Sequence, residues 1–362
     1  AQNAGKKPKR SQKNLKNIWR ISMDLALSFD DVLLEPRYSE ITSRKEVSIS
    51  SYLENSVYYD IPIISSPMDT VTEEKMAMAM YREGGLGIIH RYNSIEEQVK
   101  MVRKADENLC IVGAAIGATG DFLERAQALV KEGKAGMLCI DVAHGHHCNV
   151  RHALEALRKT FGDSIHIMAG NVATLEGFDS LADWGANSIR VGIGGGSICS
   201  TRIQTGHGVP TFQSILDCSR STRDATLIAD GGIRNSGDIV KALAAGADFV
   251  MLGSLLAGTD ETPGKLKTDD TGKFYKTYRG MASKEAQQDW RGKHSSLEGV
   301  SHRVRYKGKI KQVLANLETG IRSGLSYTGA KSIIDLQAKR KFIRQTSSGR
   351  VESSTHIHRN GL

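Results

Sequence analysis

The sequence predicts an α/β fold in which eight parallel strands close into a (β/α)8 TIM barrel. Eight short apolar segments recur along the chain, amphipathic stretches separate them, and glycine or polar residues follow the segments. Apolar strands that alternate with helices are typical of a parallel sheet covered on both faces. Eight such units favour a closed barrel over an open doubly wound sheet, and 362 residues suit a barrel with insertions.

The predicted strands are short and continuously apolar, as expected for strands buried on both faces. In chain order they are Ile61–Ser65, Gly87–Ile89, Ile111–Ala115, Met137–Ile140, Ile165–Ala169, Ser188–Val191, Thr226–Ala229 and Phe249–Leu252. Apolar residues at helical spacing predict helices between them. These are Glu73–Glu83, Ile95–Lys104, Phe122–Lys131, Val150–Lys159, Leu175–Trp184 and Ser236–Ala245.

Composition narrows the class of protein. Glycine accounts for 37 of 362 residues, which indicates many tight turns between strands and helices. The five cysteines show no CxxC spacing, so a disulfide scaffold is not expected and a reducing cytoplasm is. No apolar run reaches the roughly 18 residues of a membrane span, and no signal peptide is recognised near the start.

Positive charge is concentrated in residues 1–23, which carry seven lysines and arginines and no acidic residue. This stretch accounts for most of the net charge of +9, lacks apolar periodicity and is expected to be disordered. A nucleic-acid-binding arm is the alternative interpretation. Residues 24–362 are expected to form a single barrel domain.

Polar side chains and glycines follow the predicted strands, where a parallel barrel carries its chemistry. They are Ser65, Ser66, His90, Asp141, Asn171, Gly194–Cys199, Asp230–Gly232, Gly253 and Ser254. The long excursion at about 259–310, after the eighth strand, is predicted to be a lid, because it leaves the barrel at this face. Residues 331–362 form a C-terminal segment.

The most informative run is Val191-Gly-Ile-Gly-Gly-Gly-Ser-Ile-Cys-Ser-Thr-Arg202. It places Cys199 directly after a glycine loop at the end of a predicted strand. Glycines let backbone amides approach an anion, and a nearby arginine favours the nucleophilic thiolate. The run therefore predicts an activated cysteine beside a phosphate or oxyanion site.

These motifs together resemble the IMP dehydrogenase / GMP reductase family. The segments that carry the resemblance are Leu27–Leu34, Ser66–Glu73, Gly84–Arg91, Ala169–Thr174, the Cys199 loop, Ala229–Arg234, Gly253–Gly258 and Tyr278–Met281. They extend over nearly the whole chain from Leu27 onward. The resemblance implies a (β/α)8 barrel, usually assembled as a homotetramer, that acts on GMP or IMP.

The resemblance also implies a role for each matching residue. Cys199 would attack purine C2 and hold the nucleotide covalently, while Thr201 and Glu298 would handle protons. The implied substrate-binding residues are Ser66, Met68, Ser197, Asp230, Gly231, Gly232, Gly253, Ser254, Tyr278, Gly280 and Met281. Within this set, Asp230 would accept the ribose hydroxyls and Met281 would meet the base.

A nicotinamide cofactor is implied as well, NADPH for a reductase or NAD for a dehydrogenase. The residues expected near it are Asp141, Asn171, Thr119 and Gly192. The backbone carbonyls of Gly194, Gly196 and Cys199 are the expected ligands of a monovalent cation such as K⁺.

Two opposite reactions share this covalent chemistry, and the sequence contains features of both. The motif Ser66–Thr70, the run Ala229–Arg234 and the ending Gly349–His356 resemble IMP dehydrogenases. Gly117–Gly120, Ser323–Ala330 and the absence of inserted CBS modules resemble GMP reductases. Either enzyme therefore fits the motifs taken alone.

The lid decides our expectation, because it concerns the step that differs. In the dehydrogenase, an arginine of a long flap's Arg-Tyr pair activates the hydrolytic water. Only 25 residues separate Met281 from Lys307 here, and no Arg-Tyr pair lies between Met281 and Glu298. Arg291 is the nearest candidate, and Ser295 stands where some reductases have an arginine for GMP. We therefore expect a GMP reductase, with IMP dehydrogenase as the alternative and a silent nucleotide-binding protein with an RNA- or partner-binding tail as a third interpretation.

Overall fold

The computed structural model describes residues 23–54, 57–292 and 298–353. All eight predicted strands are present and form one closed parallel barrel, so the predicted fold class is confirmed. The barrel strands are β4 (Ile63–Ser65), β5 (Leu86–Ile89), β6 (Gly113–Ile116), β7 (Met137–Asp141), β8 (His166–Val172), β9 (Ser188–Val191), β10 (Thr226–Asp230) and β11 (Phe249–Leu252). The other strands are β1 (Val32–Leu34), β2 (Ser51–Glu54), β3 (Val57–Tyr59), β12 (Lys267–Thr268), β13 (Phe274–Arg279), β14 (Ser301–Arg305) and β15 (Phe342–Arg344).

Helices that follow the barrel strands cover the outer face of the barrel, and further helices lie in the lid and in the C-terminal segment. They are α1 (Glu74–Arg82), α2 (Ile95–Glu107), α3 (Phe122–Lys131), α4 (Cys148–Phe161), α5 (Leu175–Asp183), α6 (Thr201–Thr205), α7 (Thr211–Cys218), α8 (Ser236–Ala245), α9 (Lys284–Arg291), α10 (Ile310–Tyr327), α11 (Ile333–Lys339) and α12 (Ser347–Glu352). Among the described residues, none of these helices combines the length and apolarity needed to cross a membrane.

Strand ends are where the sequence prediction and the structure differ. Ile111 was expected in the third barrel strand, yet it is 51% exposed and the strand begins at Gly113. The fifth barrel strand continues to Val172, three residues past its predicted end. Apolar character marks burial rather than ladder hydrogen bonds, so it locates a strand better than it locates the strand's ends.

The core has two layers, which the barrel wall separates. Inward-facing side chains such as Ile64, Ile88 and Met168 fill the barrel, and a second apolar layer packs between strands and helices. The β2–β3 hairpin closes the N-terminal end of the barrel. Its Leu53 and Tyr59 join the inner layer, and the Tyr59 ring meets the Phe249 ring edge-on at 6.0 Å.

The segment between β11 and α10, predicted as a lid, folds into the β12–β13–β14 sheet and helix α9. It meets the barrel at its C-terminal face, where Gly299 pairs with both Cys199 and Ser283. Helix α10 then packs on α8 and α1 and completes the outer layer. The C-terminal segment returns to the start of the domain, because β15 pairs antiparallel with β1.

Candidate active site

A cavity of about 490 Å³ lies at the carboxyl ends of the barrel strands. Every residue to which the family resemblance assigns a role lines it, with the exception of Thr119; the strand-end residues Ser65 and His90 also lie outside its wall. The lining residues come from the ends of β4, β5, β7, β8, β9, β10 and β11 and from the lid. The closure of the barrel thus brings together side chains that lie as much as 232 positions apart, from Ser66 to Glu298.

Thr119 lies in the loop after β6 and is exposed. Its carbonyl would be 3.5 Å from a Cβ built on Gly117, whose other neighbour is the Arg91 guanidinium. The loop therefore borders the cavity at Arg91, and the cofactor role of Thr119 stays a prediction.

Cys199, Thr201 and Glu298 form a continuous hydrogen-bonded chain. The half-buried Cys199 thiol donates to Thr201 Oγ1 at 3.1 Å, and the Thr201 hydroxyl donates to Glu298 Oε2 at 2.8 Å. Both distances fall in the range for direct hydrogen bonds to sulfur or oxygen. The thiol proton thus has a two-step path to a carboxylate.

The lid fixes the far end of this chain. The Ser200 amide donates to the Glu298 carbonyl at 2.9 Å, and the Val300 amide donates to the Ile198 carbonyl at 3.0 Å. These bonds join the strand that returns from the lid to the cysteine loop. A Cβ on Gly299 would lie 2.9 Å from the Ser283 amide nitrogen, so only glycine permits this close pairing.

The glycine loop before Cys199 packs backbone against backbone at the end of β10. Gly192 has φ +146°, and a Cβ there would lie 1.9 Å from the Asp230 carbonyl oxygen. A Cβ on Gly231 would lie 3.1 Å from the Gly196 amide nitrogen. The run of glycines is therefore required by the contact between two loops. It also leaves backbone amides at the cavity wall, where they suit an anion.

The predicted cation ligands lie in the same loop, and all three residues line the cavity. The Gly196 carbonyl also accepts the Cys199 amide at 3.1 Å, which fixes its direction. Within the described part of the chain no group of histidine, cysteine or acidic side chains has the geometry of a metal site. A carbonyl site for K⁺ is a different kind of site, and it stays a prediction.

The polar network at the cavity floor centres on Arg190, which the sequence analysis did not single out. Its buried guanidinium pairs with Asp141 Oδ1 at 2.6 Å and with Asp230 Oδ2 at 2.8 Å. Asn171 Nδ2 donates to the same Asp230 oxygen at 2.8 Å. Burial alone would lower the pKa of Arg190, but the two carboxylates raise it well above its usual value. A charged residue inside the apolar segment Ser188–Val191 was the available signal.

Tyr278 closes the opposite wall, next to the predicted phosphate-binding residues. The Tyr278 hydroxyl would lie 2.7 Å from a Cβ built on Gly253. The Ser197 side chain hydrogen bonds to the Tyr278 hydroxyl. Burial raises the pKa of Tyr278 to about 12, partly offset by the Ser197 hydrogen bond. The phenol is therefore neutral at physiological pH, and it can donate to an anionic group.

Comparisons with known proteins agree with this geometry. Residues 26–356 match the family model described as the IMP dehydrogenase / GMP reductase domain. An inosine-5′-monophosphate dehydrogenase of Cryptosporidium parvum is 40% identical, over 92% of this chain and 94% of the relative. A GMP reductase of Leishmania major is 33% identical, over 91% and 96%. A crystal structure of a Trypanosoma brucei GMP reductase in complex with guanosine 5′-monophosphate is 33% identical, with a TM-score of 0.87 over 92% of this chain and 98% of that one.

Replacing Arg190 with methionine tests the floor network. Asp141 and Asp230 have side chains only 17% and 15% exposed, so both would lose their buried cation. We expect the free energy of unfolding, measured in urea, to fall by about 3–5 kcal/mol. The control is Arg223→Met, which breaks an ion pair with Asp183 whose partners are 43% and 52% exposed, and should cost far less than the loss of the buried cation. Equal losses in both variants would contradict the role of Arg190.

Proposed function

The chain belongs to the IMP dehydrogenase / GMP reductase family of NAD(P)-dependent oxidoreductases, and we propose that within it this protein is a GMP reductase. The proposed reaction converts GMP and NADPH into IMP, ammonia and NADP⁺ through a covalent bond between Cys199 and purine C2. The observation that carries the covalent chemistry is the Cys199–Thr201–Glu298 hydrogen-bonded chain. The choice of direction rests on the composition of the lid.

In the first half-reaction, the Cys199 thiol loses its proton along the chain to Glu298. The thiolate adds to C2, a C–S bond forms, the bond from C2 to the amine breaks, and the proton returns through Thr201 to the leaving ammonia. This sequence balances without another acid or base. Thr201 serves because a hydroxyl both donates and accepts, so it transfers a proton between groups that do not touch.

In the second half-reaction, NADPH would supply a hydride to C2 when bound. The C–S bond breaks, IMP leaves, and the Cys199 thiolate takes up one proton from water, which restores the thiol. Asp141 and Asn171 border the cavity at the end we assign to the nicotinamide. Arg190 holds both carboxylates of the floor in place, so the two ligands would meet at a rigid surface.

The remaining assignments follow the cavity wall. Ser197, Gly232, Gly253, Ser254 and Tyr278 suit the 5′-phosphate, because hydroxyls and glycine amides donate to a dianion. Asp230 suits the ribose. Its Oδ2 accepts the described bonds from Arg190 and Asn171, which leaves Oδ1 for the sugar hydroxyls. Ser66, Met68, Gly231, Gly280 and Met281 complete the nucleotide half.

The lid favours reduction over hydrolysis. In IMP dehydrogenase, the arginine of the flap's Arg-Tyr pair activates the water that hydrolyses the covalent intermediate. Between Met281 and Glu298 the sequence has one arginine, Arg291, and no tyrosine. Helix α9 contains half of the residues between Met281 and Glu298. Ser295 and the Arg291 side chain lie outside the described residues.

IMP dehydrogenase is the second candidate, and a specific observation favours it: the Cryptosporidium parvum relative of that name is 40% identical, against 33% for the Leishmania major reductase. In that case NAD would replace NADPH, and XMP would be the product. K⁺ at the Cys199 loop, a homotetramer and a cytoplasmic location belong to either version of the proposal. Residues 1–22 of the predicted basic tail (1–23) lie outside the described residues.

Absorbance at 340 nm in two parallel reactions tests the direction. With GMP and NADPH we expect a decrease and stoichiometric release of ammonia. With IMP, NAD⁺ and K⁺ we expect no increase. An increase in the second reaction, with XMP formed, would make the protein an IMP dehydrogenase.

Glu298→Gln tests the proton path. The amide cannot hold the thiol proton, so we expect the release of ammonia in a single turnover to slow by about 100-fold or more. Hydride transfer from a preformed covalent intermediate should change far less. Glu285→Gln, at an exposed position of α9, is the matched control and should leave both steps unchanged. Equal slowing of both steps by Glu298→Gln would contradict a proton role.

A further inference from the structure

We propose that Arg91 binds a phosphate group of the dinucleotide cofactor, and that a ring stack between Tyr92 and Trp290 couples this contact to docking of the lid. The inference rests on the proposed placement of the cofactor beside Asp141. It does not depend on the direction of the reaction, because both directions use a dinucleotide.

Arg91 follows β5 and lines the cavity beside Asp141. Its Nη2 donates to the Asp141 carbonyl at 3.0 Å, whereas its Nε lies 4.0 Å from the Asp141 carboxylate, beyond hydrogen-bond distance. Nε is buried and has no hydrogen-bond partner among the described residues. The side chain as a whole is 16% exposed and lines the cavity, so a ligand there reaches the guanidinium at atoms other than Nε.

The surroundings of Arg91 select the class of ligand. The guanidinium already uses a neutral carbonyl and borders the Gly117 position, which has no side chain to fill the space. A guanidinium has five N–H donors, and the bond to the Asp141 carbonyl uses one, so donors remain for an oxygen acceptor that enters from the cavity. An anionic phosphate oxygen fits best, since guanidinium groups bind phosphate with two parallel hydrogen bonds. The pyrophosphate is the nearest such group to a nicotinamide at Asp141.

The Tyr92 ring contacts both Arg91 and Trp290. The Arg91 guanidinium carbon lies 5.5 Å from the centre of the Tyr92 ring, within the range for a cation–π contact. The Trp290 ring stacks on Tyr92 with centroids 4.6 Å apart and an interplanar angle of 10°. Trp290 belongs to α9, so the lid reaches the cofactor end of the cavity through these rings.

Beside the stack, two ion pairs of Arg279 hold the same helix. The Arg279 Nη2 donates to Asp69 Oδ2 at 2.6 Å, and its Nη1 pairs with Asp289 of α9 at 2.5 Å. A second cavity of about 590 Å³ lies between α9 and the rim at Asn93 and Arg125. The Trp290 stack and the Arg279–Asp289 ion pair therefore hold α9 at this edge of the barrel.

Steady-state kinetics of Arg91 variants test the phosphate contact. We expect Arg91→Ala to raise the KM of the dinucleotide at least tenfold and to change the KM of the purine nucleotide less than twofold. The dissociation constant of the dinucleotide, measured by equilibrium titration without turnover, should rise by the same factor as its KM. Arg91→Lys should recover part of the loss because it keeps the charge. Arg103→Ala, which removes an exposed cation of the following helix, should change neither KM.

Two results would overturn the assignment of Arg91. One is a dinucleotide KM within twofold of wild type in Arg91→Ala, and the other is an increase confined to the purine nucleotide. If the alanine variant does not fold, Arg91→Gln keeps a donor for the Asp141 carbonyl without the charge, and the same two outcomes apply.

A double-mutant cycle tests the stack. Trp290→Ala should raise the dinucleotide KM at least threefold, and Trp290→Phe should restore it, since an aromatic ring still covers Tyr92. In the Arg91→Ala background, Trp290→Ala should add less than a twofold further change. Independent, multiplicative effects, or a failure of phenylalanine to restore the KM, would show that Trp290 does not act through Arg91.

Discussion

The ion triad of Asp141, Arg190 and Asp230 is the interaction on which the rest of the site depends. It connects the carboxyl ends of β7, β9 and β10, and Asn171 of β8 joins it through Asp230. Four adjacent strands are thus held by one buried cation. Removing one member of such a cluster leaves an unpaired buried charge, which costs far more than an exposed ion pair contributes. The triad therefore gives the cavity a rigid floor.

Above this floor, the cysteine loop and the lid form one unit. Glycines allow the loop to pack against the end of β10, and the strand returning from the lid pairs with the loop at Cys199. The nucleophile, its hydroxyl neighbour and the carboxylate thus come from two segments nearly 100 residues apart in sequence. The proposed chemistry at Cys199 would therefore require the lid to be in place, and a docked lid would exclude water from the covalent intermediate.

Sequence reasoning found the strands and nearly all of the predicted lining because both signals are local. An apolar run locates a strand, and the polar residue after it, such as Asp141 or Asn171, locates the rim. It missed Arg190, whose two partners lie 49 and 40 residues away. It also missed the Tyr92–Trp290 stack and the pairing of β1 with β15. These contacts are set by barrel closure and lid docking, which no short window of sequence encodes.

The central claim is that Cys199 carries the purine during turnover. The most direct measurement is acid quenching of the enzyme while it turns over, followed by protease digestion and mass spectrometry of the peptide that contains Cys199. The account predicts that this peptide, and no peptide of the other four cysteines, carries the mass of the nucleotide. A Cys199 peptide that stays unmodified during sustained turnover in wild-type enzyme would contradict it.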